Sequence, residues 1–162
     1  MESRAKLFGH PIHQMLIVFP LGLLATAVLF DVIWLVRHTS GWTASSYHMI
    51  IVGVISGLAA ALFGFIDWTK IPAGTRAKRV GLWHGVGNVV VVLLFAASWF
   101  ARRDHPTNPD TTALVLGFTG VALSLVTAWM GGELVDRLGI GVDEGAHADA
   151  PSSLSGRPAR AK

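Results

Sequence analysis

Apolar positions of this chain fall into four long runs, and polar positions collect in the short links between them. We place the runs at about residues 14–36, 48–66, 80–100 and 113–130. Each is close to the roughly 20 residues that a helix needs to cross the hydrocarbon core of a bilayer. The runs do not alternate as membrane strands do, and backbone groups inside a bilayer must be paired within a helix. The pattern therefore predicts an all-α integral membrane protein, a four-helix bundle with up-down topology.

The two ends of the chain differ in character. Residues 1–138 form the predicted four-span membrane domain, whereas residues 139–162 are rich in small, polar and charged residues and predict a mobile tail. Arg4 and Lys6 before an apolar stretch would also suit a signal peptide. That interpretation is rejected because the first apolar run continues well beyond the length of a signal-peptide core.

Basic residues indicate the orientation of the bundle. One side of the predicted membrane domain has ten, namely Arg4, Lys6, Lys70, Arg76, Lys78, Arg79, Arg137, Arg157, Arg160 and Lys162. The other side has three, namely Arg37, Arg102 and Arg103. Because Lys and Arg accumulate on the cytoplasmic side of membrane proteins, both termini are predicted to be cytoplasmic.

Composition narrows the classes of function. Charged residues make up only 14% of the chain, against about a quarter in soluble domains. The net charge of +3 does not indicate nucleic-acid binding, because the basic residues flank the apolar runs. The chain has no cysteine, which excludes disulfides, thiolate metal sites and cysteine nucleophiles. No catalytic serine arrangement or phosphate loop is present either, so the sequence predicts no catalytic residue.

Ionisable and amide side chains from four predicted helices share the cytoplasmic end of the bundle. They are His10, His13, Asp67, His84, Asn88 and Glu133. Ionisable groups are costly at membrane depth and by default mark a functional site. We therefore expect these side chains to form one cluster.

Three chemistries suit this cluster. A b-type haem needs one imidazole on each face from facing helices, which His13 and His84 supply, with His10 and Asn88 completing the expected cofactor-binding set. A divalent metal such as zinc, iron or manganese would take a shell of nitrogen and oxygen ligands. Its expected ligands are His10, His13, His84, Glu133 and Asp67. In the third alternative no ligand is bound, and the same side chains fasten helix ends.

The opposite end of the bundle has one buried candidate. Asp31 lies inside the first apolar run, where a carboxylate needs a partner or water. We expect that partner to be His48 or Tyr47, at the start of the second run.

The positions of the ionisable residues also indicate a repeat. A histidine opens the first helix of each predicted hairpin (His13 and His84), and a carboxylate ends the second (Asp67 and Glu133). This pattern predicts a parallel duplication of one helical hairpin.

Four segments together resemble a known family: "GHPIHQMLIVFPLG", "GFIDW", "WHGVGN" and "GGELV". The chain from about Leu7 to Val142 resembles an uncharacterised bacterial membrane family, domain of unknown function 2231. Matching positions are His10, Pro11, His13, Asp67, Trp68, His84, Asn88, Gly131, Gly132 and Glu133. The resemblance implies a four-helix unit similar in layout to small membrane cytochromes, located in the bacterial plasma membrane. Some relatives are fused to, or encoded beside, Rieske-type modules, which implies a redox-linked role and, for this cysteine-free chain, a separate redox partner.

The sequence thus favours a haem- or metal-binding membrane subunit for electron transfer or redox sensing. Asp67, Asn88 and Glu133 would orient the imidazoles through hydrogen bonds. The alternative is a scaffold or assembly partner in which the polar cluster is purely structural. A proton-coupled transporter would need a water path from Asp31 to Asp67. The sequence leaves a homo-oligomer open.

Overall fold

The computed structural model describes residues 1–159 as a helical bundle. Its helices are α1 (Ile12–Leu16), α2 (Val18–Arg37), α3 (Ser40–Lys70), α4 (Arg76–Ala101) and α5 (Thr111–Gly132). A π-helical turn (Glu133–Arg137) extends α5, and strands β1 (Lys6–Leu7) and β2 (His10–Pro11) pair antiparallel before α1. The predicted all-α four-helix fold is confirmed. Two of the ten basic residues on the side of the termini, Arg160 and Lys162, lie outside the described residues, as does the end of the predicted tail.

Four helical stretches within residues 1–159 are long and apolar enough to cross a membrane. They are Ile12–Arg37, Ser40–Lys70, Arg76–Ala101 and Thr111–Arg137, and each contains one of the apolar runs. The helices extend beyond the runs, because helix geometry does not end where the hydrocarbon core ends. At 1.5 Å per residue the 31 residues of α3 span about 46 Å, well over the roughly 30 Å of that core.

The first span is interrupted one turn after His13. Helix α1 ends at Leu16, Ile17 stands between the two helices, and α2 begins at Val18. Pro20 has no N–H to donate to the carbonyl of Leu16, so the helical hydrogen-bond ladder has a gap at this point. The position of Pro20 therefore accounts for the break in the first span.

Glycines hold each pair of consecutive spans at close distance. We call α1, α2 and α3 hairpin 1, and α4 and α5 hairpin 2. A Cβ atom on Gly53 would lie 2.6 Å from the side chain of Leu24, and one on Gly120 would lie 2.8 Å from the ring of Phe95. Small residues that let helix backbones approach in this way drive packing in membranes, where lipid is as apolar as the side chains.

Contacts of hairpin 1 recur in hairpin 2 at constant offsets. Adding 71 to a residue number in the first span gives the equivalent residue in the third span, as for Leu24 and Phe95 and for His13 and His84. Adding 67 to a residue number in the second span gives the equivalent residue in the fourth, as for Gly53 and Gly120. The two hairpins therefore repeat one arrangement with parallel orientation, as the sequence pattern indicates.

The segment before α1 is tied to the end of α3 by Asp67. Its carboxylate accepts hydrogen bonds from the Ser3 hydroxyl (2.8 Å to each oxygen) and from the backbone N–H of Arg4 (2.7 Å) and Ala5 (3.3 Å). This carboxylate fixes the position at which α1, and with it His13, enters the bundle.

Residues 139–159 contact the beginning of the chain. The backbone N–H of Gly141 donates to the carbonyl of Met1 (2.8 Å), and the Ser153 hydroxyl donates to the carbonyl of Phe8 (3.0 Å). Apart from the short 3-10 turn Ser153–Ser155, this described part of the tail has no helix. That it is mobile stays a prediction.

Candidate imidazole site at the terminal end of the bundle

Two imidazoles from different hairpins face each other at the end of the bundle that carries both termini. The ring centroids of His13 and His84 lie 6.4 Å apart, and the ring planes make an angle of 88°. The sequence prediction that these two residues meet is confirmed. Because their numbers differ by the repeat offset of 71, each ring occupies the same place in its own hairpin.

The backbone of α3 holds the His13 ring. The His13 Nδ1 atom lies 2.8 Å from the carbonyl oxygen of Ala60. One helical turn further on, a Cβ atom at Gly64 would lie 2.8 Å from His13 Cε1, which is closer than van der Waals contact allows. The ring therefore needs a glycine at residue 64 in order to reach the carbonyl.

Helix α5 holds the His84 ring in the same way. The His84 Nδ1 atom lies 2.9 Å from the carbonyl oxygen of Thr127, and a Cβ atom at Gly131 would lie 3.2 Å from His84 Cε1. Thr127 and Gly131 follow Ala60 and Gly64 by the offset of 67. Each hairpin thus has the same seat, a histidine on the first span and a carbonyl and a glycine four residues apart on the second.

These seats determine which nitrogen of each ring is free. A carbonyl oxygen only accepts hydrogen bonds, so Nδ1 of His13 and of His84 must donate a proton to it. In a neutral imidazole the second nitrogen, Nε2, then carries a lone pair. Histidines that bind metals almost always have this arrangement, with one ring nitrogen donating to a carbonyl or carboxylate and the other facing the metal.

Asn88 lies over the face of the His84 ring. Its amide nitrogen is 3.2 Å from Nε2 and 3.5 Å from Nδ1, and near-equal distances to both nitrogens place it above the ring rather than along the Nε2 lone pair. The same nitrogen donates to the carbonyl of His84 (2.9 Å), and the Thr127 hydroxyl donates to the Asn88 side-chain oxygen (3.0 Å). The position predicted for Asn88 is confirmed. Thr127 gives no signal in the sequence, because it is one polar residue within an apolar run.

The other predicted ligands have different partners. His10 is exposed, and its Nε2 atom lies 3.3 Å from the Ser153 hydroxyl. Glu133 forms an ion pair with Arg76 (2.6 Å), and Asp67 holds the N-terminal segment as described. Within residues 1–159, no three histidine and carboxylate side chains come together in a group that could hold a metal ion.

A buried ion pair joins the hairpins at the opposite end of the bundle. Arg102, just after α4, donates from its two terminal nitrogens to the two carboxylate oxygens of Asp31 (2.8 and 2.7 Å). The side chains of Arg102 and Asp31 are 0% and 2% exposed. The Ser46 hydroxyl accepts a further bond from Arg102 (3.1 Å), as does the Ser98 hydroxyl (3.3 Å).

The prediction that Asp31 pairs with His48 or Tyr47 is wrong. The His48 ring contacts the carbonyl of Ala44 in its own helix (2.8 Å), and the Tyr47 ring stacks on Trp99 (centroids 5.3 Å apart). The carboxylate instead pairs with the guanidinium because Arg102 lies in the facing hairpin, 71 positions after Asp31.

Comparisons with known proteins give one match. A family model described as "Predicted membrane protein (DUF2231)" matches residues 9–144. No curated protein and no solved structure matches the chain.

Proposed function

Because the chain belongs to the DUF2231 family of predicted membrane proteins, we propose that it is a membrane subunit that holds one b-type haem between His13 and His84. The observation that carries this proposal is the facing pair of imidazoles, each with Nδ1 on a backbone carbonyl and Nε2 free of a hydrogen bond in the ring plane. The haem would supply an iron that changes oxidation state by one electron, which suits electron transfer or redox sensing.

The placement of the two rings supports a haem shared between the hairpins. The centroids of His13 and His84 are 6.4 Å apart, and each ring is held by its own hairpin. These two residues would hold the haem, and they occupy equivalent places in the two hairpins.

The number of imidazoles favours haem over a bare metal ion. A zinc, iron or manganese site built by the protein alone needs three or more ligands. Haem provides four nitrogens of its own and needs two more. The structure brings two histidines together, while His10, Asp67 and Glu133 have the partners described above.

The chain's own residues would set the orientation and basicity of the ligands. The carbonyls of Ala60 and Thr127 accept the Nδ1 protons, which fixes each ring and makes Nε2 a better donor to a metal. Asn88, which accepts a hydrogen bond from the Thr127 hydroxyl, covers one face of the His84 ring. Its counterpart in hairpin 1, 71 positions earlier, is Ile17. The two ligands would therefore differ in their surroundings despite the repeat.

The orientation follows from charge. Ten basic residues on the side of the termini support a topology with this end in the cytoplasm, and the bacterial inner membrane is the location that the family resemblance implies. A separate redox protein would then dock at the cytoplasmic end, nearest the imidazole pair.

One observation favours a second candidate, a scaffold or assembly partner. The bonds from His13 to Ala60 and from His84 to Thr127 join α1 to α3 and α4 to α5, so they fasten helices without any ligand. In that case the polar residues would serve helix packing alone.

Haem titration of the purified wild-type chain separates the two candidates. We expect binding to saturate at about one haem per chain, with the Soret and visible bands of a six-coordinate, low-spin iron. The matched control is His10→Ala, which should keep this spectrum because His10 lies outside the facing pair. A well-folded wild-type chain that stays colourless after titration would contradict the haem proposal and favour the scaffold.

A further inference from the structure

The Asp31–Arg102 ion pair occupies a position where each hairpin faces its own counterpart. Arg102 follows Asp31 by 71, the offset that also relates His13 to His84. Equivalent residues meet directly only near the axis that relates two repeats. The bundle thus has one such contact at each end, an imidazole with an imidazole and a carboxylate with a guanidinium.

This placement makes the pairing of hairpin 1 with hairpin 2 more favourable than the pairing of two identical hairpins. If hairpin 1 packed against hairpin 1 of a second chain in the same way, Asp31 would face another Asp31. If hairpin 2 packed against a second hairpin 2, Arg102 would face another Arg102. Buried like charges are strongly unfavourable, whereas the Asp–Arg pair is bidentate and fully hydrogen-bonded.

The other contact between equivalent residues does not make this distinction. His13 and His84 are both histidines, so an imidazole would face an imidazole in every pairing of the hairpins. The link between the hairpins raises the local concentration of the correct partner. Hairpin 1 is nevertheless synthesised first, and until hairpin 2 follows, the partners within reach are other copies of hairpin 1.

We infer that the Asp31–Arg102 pair determines hairpin partner choice: it makes the inter-hairpin surface of hairpin 1 fit hairpin 2 and reject a second copy of itself. This inference does not depend on haem. Replacing a buried ion pair by apolar residues of similar size often leaves a protein folded, so its stabilising role and its role in partner choice can be tested apart.

Disulfide cross-linking in membranes measures the incorrect pairing, since the chain has no cysteine of its own. A Cβ atom on Gly57 would lie 3.4 Å from Val92 of the facing hairpin. The counterpart of Val92 in hairpin 1 is Leu21, 71 positions earlier. In a pair of two hairpins 1, Gly57 of one chain would therefore meet Leu21 of the other.

The experiment co-expresses two differently tagged copies, one with Gly57→Cys and one with Leu21→Cys. With Asp31 and Arg102 intact, we expect little disulfide-linked dimer. With Asp31→Leu and Arg102→Met in both copies, the linked fraction should rise by roughly tenfold or more, because the like-charge penalty is removed. A single copy with Gly57→Cys and Val92→Cys should close an internal disulfide in either background, which checks that the native pairing is folded.

A charge-swapped chain, Asp31→Arg with Arg102→Asp, completes the test. It should fold and show as little linked dimer as the wild type, because opposite charges again face each other. An unchanged linked fraction in the apolar variant would overturn the inference. An apolar variant that does not fold while the swapped chain does would also overturn it, since the pair would then be needed for packing itself.

Discussion

Arg102→Ala is expected to lower the free energy of unfolding by about 3–5 kcal/mol, the usual cost of removing one partner of a buried ion pair. The substitution leaves the Asp31 carboxylate buried without its two guanidinium bonds. Water cannot readily replace those bonds, because the side chain of Asp31 is almost fully enclosed. Unfolding in mixed detergent micelles, followed by circular dichroism, measures the change.

The neighbouring arginine provides the control. The Arg103 side chain is 53% exposed, and its carboxylate partner is Asp104 at 3.6 Å. Exposed ion pairs contribute little, so Arg103→Ala should change stability by less than about 1 kcal/mol. Equal effects of the two substitutions would show that the Asp31–Arg102 pair has no special weight in this fold.

His84→Ala and His13→Ala are each expected to abolish stoichiometric haem binding. A six-coordinate haem needs both axial imidazoles, and no third histidine joins the pair within residues 1–159. Each substitution also removes one hydrogen bond between helices, but such bonds contribute only about 0.6 kcal/mol on average in membranes. The variants should therefore stay folded while the Soret band of the six-coordinate form disappears.

His48→Ala is the matched control for these two variants. Like His13 and His84, His48 lies in a membrane-spanning helix with Nδ1 on a backbone carbonyl, but its ring is exposed and bonds to its own helix. It should bind haem as the wild type does. If His13→Ala and His84→Ala lost stability and kept full haem binding, the imidazole pair would be structural and haem would bind elsewhere.

The sequence predicts the fold well because the bilayer imposes simple rules. Run length and the demand for internal hydrogen bonds predict four helices, and the missing N–H of Pro20 accounts for the break between α1 and α2. The helix ends are less predictable. Residues 40–47, at the beginning of α3, are more polar than the apolar run that follows and still continue its helix.

The site is predicted in part, for a physical reason. His13 and His84 meet because equal depth on facing helices is enough to bring long side chains together. The directions of Asp67 and Glu133 depend on partners that composition does not reveal, namely the backbone N–H groups of residues 4 and 5 and the side chain of Arg76.

Arg102 shows the same limit at the other end of the bundle. In the sequence it stands beside Arg103 in a polar link, a position typical of an interfacial charge. His48 and Tyr47 are the expected partners of Asp31 because they lie at the start of the next span, whereas the carboxylate faces the other hairpin. The repeat itself held the missing signal, because the step of 71 from His13 to His84 leads from Asp31 to Arg102.

Electron paramagnetic resonance of the haem-loaded ferric protein tests the central claim most directly. If His13 and His84 bind one iron with their rings at the observed 88°, we expect a low-spin signal of the strongly anisotropic kind that perpendicular axial imidazoles give. A high-spin ferric signal, or no haem iron in a folded preparation, would contradict the account.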